Sequence, residues 1–252
     1  MCMLFAVSSD NDFELNTYLN IFYKNSNKHP HGWGLAYLRG GKMIIKKEPV
    51  DASKSDELAK ILKKTLKSKL TLAHIRYATI GNVDAVNCHP FTETDFLRKR
   101  WTLIHNGTIF DYPPLSNCIK HQKGETDSER ILLYFTQQIK KTNASSFREY
   151  FELFDSIIPS MSNGNKLNLL FTDGEYLYVH TNCRETLFYL EKNGTTIFST
   201  APLNGENWKK VPFCTLIAYK DGIPVCKGTT HQNEYIENIE NTKLLYRIFS
   251  NL

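Results

Sequence analysis

Four dipeptides constrain this chain most: Gly40-Gly41, Asp173-Gly174, Asn193-Gly194 and Asp221-Gly222, each set between two short apolar, strand-forming runs. Such pairs supply the positive φ angles that tight hairpin turns require. The flanks read "GWGLAYL" and "KMIIKK", "LNLLF" and "EYLYVHT", "TLFYLEK" and "TTIFST", "CTLIAYK" and "IPVCK". Strands joined this tightly must run antiparallel, because a parallel pair needs a crossover of a dozen residues or more. Further strand-like runs are "CMLFAVSS", "LTLAHIRYA" and "WTLIHNG".

Three stretches carry helical periodicity instead. "SERILLYFTQQIKK" follows Asp127, with Thr126 or Asp127 as its cap, and "SFREYFELFDSII" is expected to end at Pro159. In "SKSDELAKILKKTLKSKL", Leu58, Ile61, Leu62 and Leu66 fall at helical spacing beneath a solvated lysine face. Hairpins linked through a helical centre predict an α+β fold of antiparallel sheets covered by helices. No linker divides residues 2–228, which read as one domain; residues 229–252 read as a tail with a peripheral helix at "LLYRIFSNL".

Several function classes are disfavoured by composition. The net charge of +5 comes with no Arg-rich block and no interleaved aromatic and basic residues, so nucleic acid is not expected as a partner. Six cysteines without a CxxC pair read as reduced thiols. The N-terminus has no basic lead, Asp10 and Asp12 interrupt its apolar run, and no segment reaches membrane-spanning length. A cytoplasmic protein with no membrane partner is expected.

The candidate chemistry begins at Cys2, directly after Met1. A lone cysteine there is ordinarily a small buried hydrophobe, Asn106-Gly107 is ordinarily a turn, Arg76 a surface ion-pair residue, and "TDSE" a helix start. Their order is more telling than any one of them. Cys2, then "AHIRYATIGNVDAVNCHPFT", "WTLIHNGTI" and "GETDSE", with "HGWGLAY", "NLLFTDGEYLYVH" and "STAPLNGENWKKVP", resembles the glutaminase domain of class II glutamine amidotransferases, over roughly residues 2–225. The branch most similar is the stand-alone one, with no synthase domain attached.

That resemblance implies a four-layer αββα fold of the N-terminal-nucleophile hydrolases, with two antiparallel sheets between helical layers. It implies Cys2 as nucleophile with its own α-amine as the proton relay, since an α-amine titrates near ~7.7–8.0. Asn106 and the Gly107 N–H would form the oxyanion site. Arg76 would hold the substrate α-carboxylate, Asp127 its α-ammonium, and Thr79 belongs to the same substrate-contacting turn. Glutamine is the default substrate, and no cofactor or metal is expected. The alternatives are a larger γ-glutamyl compound such as glutathione, cleaved with a peptidase-like partner protein, or a non-catalytic interaction protein on the same fold; a separate acceptor protein is a candidate partner. A metal site built from His74, Cys88, His89 and His105 is disfavoured because their spacing matches no ligand motif. One departure stands out: the branch has an acid where this chain has His31 in "HGWG".

Overall fold

The structure, a computed structural model, describes residues 2–78, 80–238, 240, 241 and 243. Along the chain run β1 (Met3–Glu14), α1 (Asn16–Tyr23), β2 (Trp33–Arg39), β3 (Lys42–Glu48), α2 (Asp56–Leu62) and β4 (Lys67–Ile75). Next come β5 (Phe91–Thr94), β6 (Arg100–Thr108), α3 (Asp127–Thr142) and α4 (Phe147–Ser162). The second half holds β7 (Lys166–Thr172), β8 (Leu177–Thr181), β9 (Phe188–Lys192), β10 (Thr195–Ser199), β11 (Lys209–Lys210), β12 (Ile217–Lys220) and β13 (Ile223–Lys227).

All four hairpins form. Asn193-Gly194 and Asp221-Gly222 both turn with φ positive at each residue (47° and 72°, 50° and 79°), the geometry that matches the twist of the flanking strands. The β7–β8 connection is longer than two residues. There Asp173 Oδ1 accepts the Glu175 and Tyr176 N–H groups and closes residues 173–176. The strands assemble into a seven-stranded sheet, β11-β9-β10-β1-β4-β2-β3, and a six-stranded sheet, β13-β12-β8-β7-β6-β5, with every pairing antiparallel.

Period-two alternation then sets the layers. Along β1, Phe5 and Val7 pack with Leu19, Phe22 and Leu58 of α1 and α2, while Leu4 and Ala6 pack with Ile104 and Leu170 of the other sheet. Along β6 and β7, Leu103, Leu167 and Leu169 meet Ile131, Phe135 and Phe154 of α3 and α4. The result is helices, sheet, sheet, helices: the expected αββα order. No helix among the described residues is long and apolar enough to cross a membrane.

Two helix expectations need correction. The lysine-rich helix stops at Leu62, because Leu66 is held outside it: its N–H goes to Asn16 Oδ1 and its carbonyl takes the Leu15 N–H. α4 runs through Pro159 to Ser162, since a proline in the last turn removes only one hydrogen bond near the end. Of the tail, residues 229–238 contain no helix and lie along the core, with the Tyr235 N–H on the Asn182 carbonyl; "LLYRIFSNL" falls wholly outside the described residues.

Candidate functional site

Cys2 precedes β1 by one residue and shares the parity of Leu4 and Ala6, so the pleat directs it into the space between the sheets. Its sulfur accepts the Tyr77 N–H at 3.3 Å and donates to the Tyr77 carbonyl at 3.4 Å. Burial pushes the thiol pKa up, partly offset by the Tyr77 N–H and the Arg76 charge, with the Asp127 carboxylate raising it further. The resting sulfur is therefore a protonated thiol that needs a base. Both Arg76 and Asp127 lie close enough to act on it electrostatically.

Arg76 directly follows the β4 strand and is 3% exposed. Its guanidinium donates to the carbonyls of Asn82 (2.9 Å), Ile80 (3.0 Å) and Gly81 (2.8 Å), which leaves two of its five N–H donors without a partner among the described residues. The sequence reading gave Arg76 one task; it also staples residues 80–82. Thr79 lies outside the described residues.

Asp127 is the first residue of α3, buried at the helix start, where a carboxylate is favoured by the helix dipole. The cap itself is Thr126, whose side chain accepts the Glu129 N–H. Asp127 Oδ2 accepts the Ile109 N–H and Oδ1 the Ser128 N–H, both at 2.8 Å. The Ser128 hydroxyl also approaches Oδ1 at 3.2 Å, but His105 decides where its proton goes. His105 Nε2 faces the Lys166 carbonyl at 3.2 Å, which can only accept. Burial lowers the His105 pKa, the Asp127 charge opposing, so the ring is neutral with its proton on Nε2. Nδ1 then accepts from the Ser128 hydroxyl at 3.0 Å. Asp127 keeps two of its roughly four lone-pair sites for another donor.

Asn106 and Gly107 close β6. Asn106 shares the parity of Ile104, faces the space between the sheets, and its amide has no hydrogen-bond partner among the described residues. Gly107 lies opposite Leu167, whose N–H turns to Asn182 Oδ1 and whose carbonyl turns to His180, away from β6. In an antiparallel ladder the opposite residue must then point its own N–H away from β7. That direction leads past the end of β5, whose pairing with β6 begins only at Leu103. A side chain at 107 would collide with the Lys166 carbonyl and the His105 ring.

The turn of Arg76 and the helix start of Asp127 are tied together by Glu125, which accepts the Asn82 N–H at 2.8 Å and the Asn87 amide at 3.2 Å. Sequence reading missed this bridge, and also the roles of Ser128 and His105 in aiming Asp127. Their only signal was adjacency within "HNG" and "TDSE". His31 is placed as well: its Nδ1 accepts the Ala78 N–H.

Of the four residues weighed as zinc ligands, His74 and His89 pack with tilted rings, centroids 4.0 Å apart, their four nitrogens without a hydrogen-bond partner among the described residues and burial lowering both pKa values strongly. Among the described residues no group of three or more His, Cys, Asp or Glu is arranged to hold a metal. A cavity of about 230 Å³, lined by Ile109, Phe110, Asp111 and Arg130, opens beside Asp127. A larger groove of about 1020 Å³ between Arg39 and Lys64 shares no residue with the site.

An αββα sandwich of two antiparallel sheets between helical layers is the fold class of the N-terminal-nucleophile hydrolases. Within that class, residues 1–193 match the family model of class II glutamine amidotransferases, and the chain belongs to that family. It is 30% identical to an uncharacterised protein of Methanocaldococcus jannaschii, over 88% of this chain and 70% of that one. It is 26% identical to Escherichia coli YafJ, a provisionally named glutamine amidotransferase, over 84% of this chain and 94% of the other. Among solved structures, a Pseudomonas aeruginosa protein described as a predicted glutamine amidotransferase superposes with a TM-score of 0.66 at 19% identity, covering 89% of this chain and all of the other. Glutamine phosphoribosylpyrophosphate amidotransferase of Bacillus subtilis gives 0.65 at 16%, covering 87% of this chain and 47% of that one. At these identities the structural likeness speaks to the fold.

Proposed function

We propose that this chain hydrolyses the side-chain amide of free glutamine through a thioester on Cys2, releasing ammonia and glutamate. The observation that carries the reading is that Arg76 and Asp127, each with unused hydrogen-bonding capacity, both act electrostatically on the Cys2 thiol. A free glutamyl head carries one carboxylate and one ammonium, so it needs one cation and one anion. Removal of Met1 frees the Cys2 amine. That amine, partly neutral near pH 8, takes the thiol proton as sulfur attacks the amide carbon.

The tetrahedral oxyanion forms between the Asn106 amide and the outward Gly107 N–H. The protonated amine then passes its proton to the leaving nitrogen, and ammonia departs. Water, deprotonated by the same amine, attacks the thioester; the carbon–sulfur bond breaks and the Cys2 thiol is restored. Arg76 and Asp127 would hold the head of any γ-glutamyl amide, and glutamine is the smallest that fills both.

The test is glutamate release from glutamine and from a panel of γ-glutamyl amides by purified protein, with Cys2→Ala as control. Turnover of glutamine that vanishes in Cys2→Ala supports the reading. Turnover of only larger γ-glutamyl compounds would replace glutamine as the substrate. Equal rates in both proteins would remove Cys2 from the chemistry.

A further inference from the structure

The His31 ring faces the turn that holds the Cys2 sulfur. Its Nδ1 accepts the Ala78 N–H at 2.9 Å, and its ring centre lies 5.1 Å from that of Tyr77. Backbone bonds extend the β2–β4 ladder past its end to the same place: the His31 N–H meets the Arg76 carbonyl at 3.2 Å, and the Arg76 N–H meets the Gly32 carbonyl at 2.7 Å. Residues 76–78 are thus gripped from two sides. His31 holds Ala78, and the Cys2 sulfur holds both polar groups of the Tyr77 backbone. An aspartate at 31 would accept the Ala78 N–H down to about pH 4. A histidine accepts it only while Nδ1 is bare.

We propose that His31 is a positioning residue that holds the Tyr77–Ala78 backbone against Cys2 and makes the site acid-sensitive. Protonation turns Nδ1 from acceptor to donor, so two N–H groups face each other and the turn is released. The kinetic consequence rests on the glutaminase reading above; the latch itself does not.

The sign follows from the surroundings. Burial first, and the Arg76 guanidinium second, hold His31 below the ordinary histidine value of about 6.5. The latch is therefore closed at neutral pH and opens as pH falls through that lowered value. The facing groups are Arg76 from the end of β4, Tyr77 from the turn, and His29 from the preceding loop. Burial lowers His29 too, and its neighbours Lys28 and His31 add to that. A second acidic ionisation comes from the Cys2 amine near ~7.7–8.0.

The experiment measures kcat/KM for glutamine from about pH 4.5 to about pH 8.5 in the unaltered chain, His31→Asn, His31→Leu and His29→Asn. Asn places Oδ1 near the position of Nδ1 and does not titrate. With both ionisations active, the acid limb of the unaltered chain falls with a limiting slope of about two. In His31→Asn the slope drops to about one, while His31→Leu loses about five- to tenfold even at the alkaline end, the equivalent of one hydrogen bond. His29→Asn keeps the slope of the unaltered chain. An unchanged slope in His31→Asn overturns the proposal.

Hydrogen exchange of the peptide spanning 76–82 reads the latch without turnover. Protection, corrected for intrinsic rates, should fall in acid for the unaltered chain but not for His31→Asn, while β1 stays protected in both. That pattern in a protein inert towards glutamine would sink the function and keep the latch. Glutaminase activity with identical exchange in both proteins would sink the latch and keep the function.

Discussion

Replacing Asp127 with Asn separates substrate recognition from folding, because the two oxygens of Asp127 serve both. One backbone N–H, from Ile109 or from Ser128, keeps its acceptor on the Asn oxygen, and the other loses it. Leaving one buried N–H unpaired costs about 1–3 kcal/mol. In a domain of this size that lowers Tm by roughly 2–4 °C per kcal/mol, which a thermal melt reads directly. The fold should survive, since the Thr126 cap and the Glu125 bridge to Asn82 are untouched.

Binding should suffer more. Removing one member of a buried charge pair costs about 2–5 kcal/mol, and at about 1.36 kcal/mol per factor of ten the lower bound is about 30-fold in kcat/KM. The loss should appear mainly in KM, because the ammonium is held alike in ground and transition states. Glutamine acetylated on its α-amine provides the cross-check. In the unaltered protein, acetylation should cost at least the same ~30-fold, since it removes the ammonium from the same pair. In Asp127→Asn that penalty should shrink to a few-fold, because the charge it was paired with is gone. Equal acetylation penalties in the two proteins would refute the assignment of Asp127 to the ammonium, however large the KM change.

Other perturbations report on the remaining groups. Asn106→Ala should lower kcat by about 10²–10³-fold with little change in KM, and a near-normal kcat would reduce "HNG" to a turn. Gly107→Ala should cost about 1–3 kcal/mol of stability by overpacking against the Lys166 carbonyl and the His105 ring, seen as a lower denaturation midpoint. Intact mass of active protein should lack Met1, because an acylated Cys2 nitrogen cannot act as a base; full activity with Met1 retained would remove the amine from the mechanism.

Most of the frame was legible because it is written in short-range signals. The Asx-Gly and Gly-Gly turns have no good alternative, and period-two alternation assigned each strand a face before any partner was known. The same alternation puts Cys2 and Asn106 between the sheets, so their meeting was implicit in the pattern. Where the reading missed, a long-range contact outweighed a local preference. The lysine-rich segment keeps helical spacing through Leu66, yet Asn16, fifty positions earlier, captures the Leu66 N–H and ends the helix at Leu62. Pro159 is a strong local stop, but Met161 and Ser162 beyond it still gain burial by continuing the turn.

The site divides along the same line. Its reactive groups stand on strand and helix ends, where sequence pattern places them. What aims them is a set of backbone and side-chain bonds between distant segments: Arg76 folding residues 80–82 onto itself, Glu125 tying that turn to the start of α3, and the neutral His105 drawing the Ser128 hydroxyl away from Asp127. None of these residue types is diagnostic alone, since each bond could be made by several others. A carboxylate with two lone pairs left over, and a guanidinium with two donors left over, are properties of the folded arrangement, and they make a glutamyl head a better guest than water. Were either residue fully satisfied within the protein, the same motif order would describe a rigid, unreactive corner.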